Sequence, residues 1–235
     1  MRTVSMNPSQ QARDDVLNQI AQLCQQAQRQ PASVHLLAVS KTHPSSRIEE
    51  MYAAGQQCFG ENYLQEALVK IDELQHLAIE WHFIGHVQRN KTKSLAEKFD
   101  WVHGVDRFII AERLSNQRPS HLKPLNICIQ VNIDGQDSKD GCQPHEVEEL
   151  VREISQLPNL SLRGLMVIPA PENHAAFADA KALFEQVRGQ PVQLQDWDTL
   201  SMGMSADLDA AIAAGSTMVR VGTALFGARD YSNIP

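Results

Sequence analysis

The chain has 235 residues, 43% of them hydrophobic and 21% charged, and carries a net charge of -7 from 21 basic and 28 acidic side chains. This is the composition of a globular protein with a sizeable core, and it excludes an intrinsically disordered chain. It holds no basic cluster to meet a nucleic-acid backbone and no run long enough for a membrane span, so neither partner is expected. The four cysteines, Cys24, Cys58, Cys128 and Cys142, form no C-x-x-C pair. They read as buried free thiols, with Cys142 in a loop, and fit a reducing cytoplasm. The N-terminus shows no apolar signal core, so a soluble cytoplasmic protein is expected.

The first element is a helix capped by Asn7, with Pro8 at its first position, where a missing N–H costs nothing. Val16, Leu17, Ile20, Leu23, Cys24 and Ala27 fall on one face, and Pro31 ends it. Short apolar runs then follow at 34–40, 56–60, 81–85, 101–105, 125–132, 162–168, 198–202 and 218–221. Between them lie helical patterns, Pro44–Ala54, Asn62–Gln75, Arg89–Lys98, Arg107–Asn116, His145–Gln156, Ala175–Arg188 and Ser205–Ala214. Gly55 and Gly215 stand just past two of these, where helices stop. Strand alternating with helix predicts a parallel sheet, and eight repeats predict closure into a single (β/α)8 barrel. No composition break or linker divides residues 1–235, so one domain with an extra N-terminal helix is expected.

Chemistry in such a barrel gathers where strands end. Here those ends carry Lys41, Asn62, His86, Asp106, Asn132, Ser201, Arg220 and Thr223. Lys41 ends the run His35-Leu36-Leu37-Ala38-Val39-Ser40-Lys41 and brings an amine to the barrel mouth. A lysine amine with an ordinary pKa of about 10.4 needs burial or a neighbouring cation to become a nucleophile for an aldehyde. By position alone, a solvated loop lysine fits as well.

The turns Ser201-Met202-Gly203-Met204-Ser205 and Arg220-Val221-Gly222-Thr223 follow the seventh and eighth strands, where barrels commonly bind phosphate. Gly203 and Gly222 allow backbone to approach an anion, while Ser205 also suits a helix N-cap and Thr223 an ordinary turn. An amine beside a phosphate cradle points to a phosphorylated aldehyde, and pyridoxal phosphate is the obvious one. Arg220 would then face the pyridine nitrogen as a permanent donor, restraining the ring as an electron sink. Glu61 and Asn62 either approach the ring or cap the next helix. His82 and His86 lie four residues apart with no H-E-x-x-H pattern, so no metal site is expected.

Several segments together resemble the pyridoxal phosphate homeostasis protein family. They are Ala38-Val39-Ser40-Lys41, Phe59-Gly60-Glu61-Asn62-Tyr63-Leu64-Gln65-Glu66, Trp81-His82-Phe83-Ile84-Gly85 and Gln88-Arg89-Asn90-Lys91. Arg163-Gly164-Leu165-Met166, Leu200-Ser201-Met202-Gly203-Met204-Ser205 and Val219-Arg220-Val221-Gly222-Thr223-Ala224-Leu225-Phe226-Gly227 continue the match in order. The resemblance implies one TIM barrel similar to the N-terminal domain of alanine racemase, of the fold type III kind, binding pyridoxal phosphate. Lys41 matches the Schiff-base lysine, Ser201, Ser205, Gly222 and Thr223 the phosphate positions, Arg220 the pyridine partner and Asn62 a ring-lining residue.

The family's role is regulation of the cofactor pool without established turnover, so the expected protein holds pyridoxal phosphate as a lysine aldimine and supplies apoenzymes. The alternative is a small amino-acid racemase or lyase, but only Lys41 stands out as a proton donor, whereas two-base racemisation needs one on each face. A barrel enzyme on sugar phosphates, with Lys41 as an aldolase-type base, is the third reading. A monomer is expected.

Overall fold

The computed structural model describes residues 7–136, 139–192 and 194–228. Eight strands run in parallel: β1 His35–Val39, β2 Cys58–Glu61, β3 Glu80–Phe83, β4 Trp101–Val105, β5 Leu125–Val131, β6 Leu160–Val167, β7 Thr199–Met204 and β8 Met218–Val221. They pair in chain order and β8 closes on β1, through Ala38 opposite Val221 among other pairs. Helices alternate with them: α1 Pro8–Gln26, α2 Ser45–Ala53, α3 Leu64–Glu73, α4 Thr92–Lys98, α5 Phe108–Gln117, α6 Val147–Ile154, α7 Ala175–Arg188, α8 Leu208–Ala213 and α9 Thr223–Phe226. The architecture is the expected (β/α)8 TIM barrel, and each expected strand is found within a few residues. Residues 229–235, including the end of the chain, lie outside the described residues.

Side chains of a strand alternate between its two faces, and the barrel sorts them into two cores. Leu37, Val39, Ile84, Trp101, Cys128, Met166 and Met218 pack inside the barrel. Leu36, Ala38, Phe59, Phe83 and Leu165 face outward and join the larger core beneath the helices. α1 forms as expected: the Asn7 side chain accepts from the Ser9 N–H at 3.0 Å, and Val16, Ile20 and Cys24 are buried. It lies against α2, α8 and α9.

Two boundaries near the rim differ from expectation. β7 runs on to Met204 through an irregularity at Gly203, and α8 begins at Leu208 rather than Ser205. The cause is Asp207, whose carboxylate accepts from the Met204 N–H at 2.6 Å while its own N–H donates to the Met204 carbonyl. A tight turn therefore fills 205–207, and Ser205 is exposed within it instead of capping a helix. α9 has only one turn, too short to show a periodicity in the sequence.

Candidate active site at the C-terminal rim

Strands β7, β8, β1 and β2 are consecutive neighbours, so residues far apart in sequence share one stretch of rim. Pairing sets Met204 beside Arg220, Ala38 beside Val221 and Val39 beside Gly60. Going round, the rim presents the 205–207 turn, then Gly222 and Thr223, then Lys41, then Asn62. His43 stacks on Phe226 at 5.1 Å between ring centroids, which ties the loop after β1 to α9.

Lys41 is half-buried and directly follows Ser40, in the turn leaving β1. The next residue, Thr42, has φ +67, a left-handed conformation that a β-branched residue rarely adopts. Its N–H donates to the Glu66 carboxylate at 2.6 Å, which holds the strained turn from α3. Glu66 in turn accepts from Lys70, one helical turn on. Lys70 Nζ also donates to the Ser40 carbonyl at 2.9 Å and to Glu61 Oε1 at 2.8 Å, and the Ser40 hydroxyl donates to the same Glu61 oxygen at 2.6 Å. A buried ionic network thus sits under the lysine turn, between sheet and helix. Burial pushes the Glu61 carboxyl up to about 7 against the pull of Lys70.

Alternation explains why Glu61 takes this role while its neighbour does not. Cys58 and Gly60 share the inner face of β2, and Asn62 continues that parity past the strand end. Glu61 faces the helices, fully buried, so of its two expected roles it fills neither. Asn62 does not cap α3, which has no side-chain cap. Its Oδ1 is buried with no hydrogen-bond partner, the kind of orphaned acceptor that a ligand donor satisfies. Gly85 lets this segment close up: a Cβ there would stand 2.3 Å from the Asn62 carbonyl oxygen.

Arg220 lies inside the barrel, 4% exposed. One guanidinium nitrogen donates to the carbonyl and hydroxyl of Ser201, both at 2.8 Å, and another to the Val167 carbonyl at 3.0 Å. Among the described residues no carboxylate stands within ion-pair distance of it. Burial lowers its pKa to about 10, so it stays protonated at neutral pH. The Ser201 hydroxyl is fully buried between Arg220 and His103 Nδ1, which lies 3.2 Å away. It supports the arginine from within the barrel, although the resemblance sets it among the phosphate positions.

The polar chain continues downward. His103 Nε2 lies 3.0 Å from His82 Nδ1, and His82 Nε2 lies 2.9 Å from Glu80 Oε1. Burial keeps both imidazoles neutral, and the His82 contact holds the Glu80 carboxyl down at about 2. The ends fix the direction of every bond: the carboxylate only accepts and the guanidinium only donates. His82 therefore donates to Glu80, His103 to His82, and Ser201 to His103. His82 and His86 do not share a site, since His86 sits on the rim with its Nδ1 3.0 Å from Asp140.

The two turns remain. Gly203 has φ +97, and a Cβ on it would meet the Ala211 side chain at 2.5 Å, so only glycine fits between β7 and α8. Gly222 precedes α9, whose first N–H groups have no intrahelical acceptor, and Thr223 is exposed beside them. The sequence reading missed Lys70, Glu66, His103 and the inward role of His82. A lysine on the apolar face of α3, in step with Leu64 and Ala67, is the one signal that points to Lys70.

A parallel eight-stranded barrel with a lysine after β1, an arginine on β8 and small-residue turns after β7 and β8 defines a racemase-type barrel. The family model described as "Alanine racemase, N-terminal domain" matches residues 13–230. Alanine racemase from Corynebacterium glutamicum shares the fold, with a TM-score of 0.65 at 15% identity over 94% of this chain and 62% of its own. Much nearer is the pyridoxal phosphate homeostasis protein of Pseudomonas aeruginosa, 55% identical over 221 residues, 92% of this chain and 94% of that one. Its counterpart in Escherichia coli K12 is 53% identical over 209 residues, 87% and 89% of the two chains. The chain belongs to the pyridoxal phosphate homeostasis protein family. Among solved structures, PipY of Synechococcus elongatus with PLP bound has a TM-score of 0.76 and 40% identity, covering 88% of this chain and all of its own.

Proposed function

We propose that this barrel binds pyridoxal phosphate at the rim formed by β7, β8, β1 and β2, and serves to hold and hand on the cofactor within the cell. The observation that carries the reading is the pairing of β8 with β1 and β1 with β2, which sets Lys41 between the Gly222–Thr223 turn and Asn62. The residues fit the group: an amine, a turn of small residues and an orphaned acceptor at Asn62 Oδ1.

Pyridoxal phosphate supplies an aldehyde that condenses with an amine. Lys41 is that amine in our reading, set by the strained Thr42 turn and the Lys70 network beneath it. Ser205, Gly222 and Thr223 hold the phosphate, and Asn62 lines the ring. Arg220 faces the pyridine nitrogen, and because a guanidinium only donates it leaves that nitrogen without a proton. Ser201 fixes Arg220 in place. This arrangement favours storage over carbanion chemistry, since an unprotonated pyridine withdraws electrons weakly. Recipients would be apoenzymes that need the cofactor.

The test is α-proton exchange. Cofactor-loaded protein is incubated in deuterated water with a panel of amino acids, with free pyridoxal phosphate as background. Exchange at the background rate is expected. Exchange well above it, lost in Lys41→Ala, would return the racemase or lyase reading.

A further inference from the structure

The opposite mouth of the barrel carries a second constellation. Cys58 opens β2, Glu80 opens β3, and His82 follows on the same inward face. Glu80 Oε1 lies 2.9 Å from His82 Nε2 and 3.4 Å from Cys58 Sγ, and all three ligating atoms lie within 4.8 Å of one another. Cys58 and Glu80 line a cavity of about 320 Å³ together with Trp101, Arg163, Asp198 and Thr217. The Glu80 side chain is 45% exposed, whereas the His82 side chain is fully buried behind it.

We propose that Cys58, Glu80 and His82 form a binding site for a divalent cation of the zinc type at this lower mouth. Tetrahedral bonds of about 2.3 Å to sulfur and about 2.0–2.1 Å to nitrogen and oxygen put neighbouring ligand atoms about 3.3–3.6 Å apart. The Cys58–Glu80 pair already stands at that separation, and the His82–Glu80 pair has only to widen slightly. A thiolate and a carboxylate match the charge of the ion, and the imidazole binds as a neutral ligand. The cavity leaves the fourth position for water. Sulfur and nitrogen ligands select zinc or cobalt over magnesium or calcium. Arg163, the nearby cation, is paired with Asp198 at 2.6 Å.

The buried chain above the site supplies what a metal-bound histidine requires, an acceptor for its other N–H. On binding, the His82 proton leaves Nε2 for Nδ1 and is donated to His103 Nε2. His103 then carries its proton on Nδ1 and donates it to the Ser201 oxygen. Each imidazole keeps one proton, the Ser201 hydroxyl accepts from His103 instead of donating to it, and only the Cys58 thiol proton passes to solvent. The His82–His103 and His103–Ser201 contacts thus serve both states with their direction reversed.

The experiment is a titration of the chelator-treated full chain with cobalt(II), read through the ligand-field bands in the red part of the visible spectrum. One equivalent should give the intense bands of a tetrahedral site, displaced by zinc and untouched by magnesium. Cys58→Ser should remove that spectrum, and Glu80→Gln, a change at a half-exposed side chain, should weaken binding at least about 10-fold. His103→Phe, which takes away the acceptor behind His82, should weaken it by about 10–100-fold. Circular dichroism checks that each variant is folded. Absence of the tetrahedral spectrum, or its persistence at full strength and affinity in Cys58→Ser or Glu80→Gln, overturns the proposal.

Discussion

Two buried polar networks support the rim, and they are built in opposite ways. The one outside the barrel wall is ionic: Lys70 bridges Glu61 and Glu66 beneath the Lys41 turn. The one inside is neutral between charged ends, with two imidazoles and a hydroxyl linking Glu80 to Arg220. The first holds a backbone turn in a conformation it would otherwise leave, which demands strong, short-range attraction. The second orients a single guanidinium, which needs only that each hydrogen bond have a unique direction. The ionic network lies where the chain is strained, while inside the barrel the charges of Glu80 and Arg220 are held apart by neutral groups.

The sharpest way to break this contrast is to remove one partner from each network. Lys70→Met should destabilise the fold by about 3–5 kcal/mol in urea unfolding, because it strands a buried carboxyl. Adding Glu61→Leu should recover most of that loss. His103→Phe should cost less, about 1–3 kcal/mol, by leaving neutral groups unpaired. Equal costs would erase the distinction between the two networks.

The ionic network also has a pH signature. Glu61 ionises at about 7 in the folded chain against an ordinary 4.5, so the native state binds more protons in between. Its contribution to stability is therefore fully present below about 4.5, falls as pH rises through about 7, and then levels off. The stability difference between wild type and Glu61→Gln, measured across that window, should follow this curve. A flat difference would show that Glu61 titrates as an ordinary carboxyl.

At the rim itself, Thr223→Val should weaken cofactor binding by about 10–100-fold, the loss of one hydrogen bond to a charged group, without moving the unfolding midpoint. A matching loss of stability would mean that the turn is structural. The smallest effect belongs to Thr42→Gly. Relief of the left-handed strain and the extra freedom of glycine nearly cancel, so stability should change by no more than about 1 kcal/mol. The rate at which Lys41 reacts with the cofactor should nevertheless fall, because a glycine backbone holds the turn less rigidly even with its N–H still bonded to Glu66.

How much of this was legible in the sequence follows from the range of each signal. Strand alternation and helix stops are local, so the eight strands, the N-terminal helix, the rim positions of Lys41, Asn62 and Thr223 and the place of Arg220 on the last strand could be read directly. Ser201 was placed on the right strand, but its hydroxyl partner His103 lies 98 residues away, and no spacing announces that contact. His82 was read as one of a pair with His86 because a polar residue in a strand does not declare which face it occupies. The start of α8 was misjudged because Asp207, and not Ser205, turns the chain there.

In our reading Lys41 is the residue joined to pyridoxal phosphate. Borohydride reduction of the loaded protein followed by peptide mapping tests it most directly. One dominant label is expected, on the peptide that contains Lys41, and its loss in a folded Lys41→Ala variant. A dominant label on another lysine, or a label that survives in that variant, would contradict it.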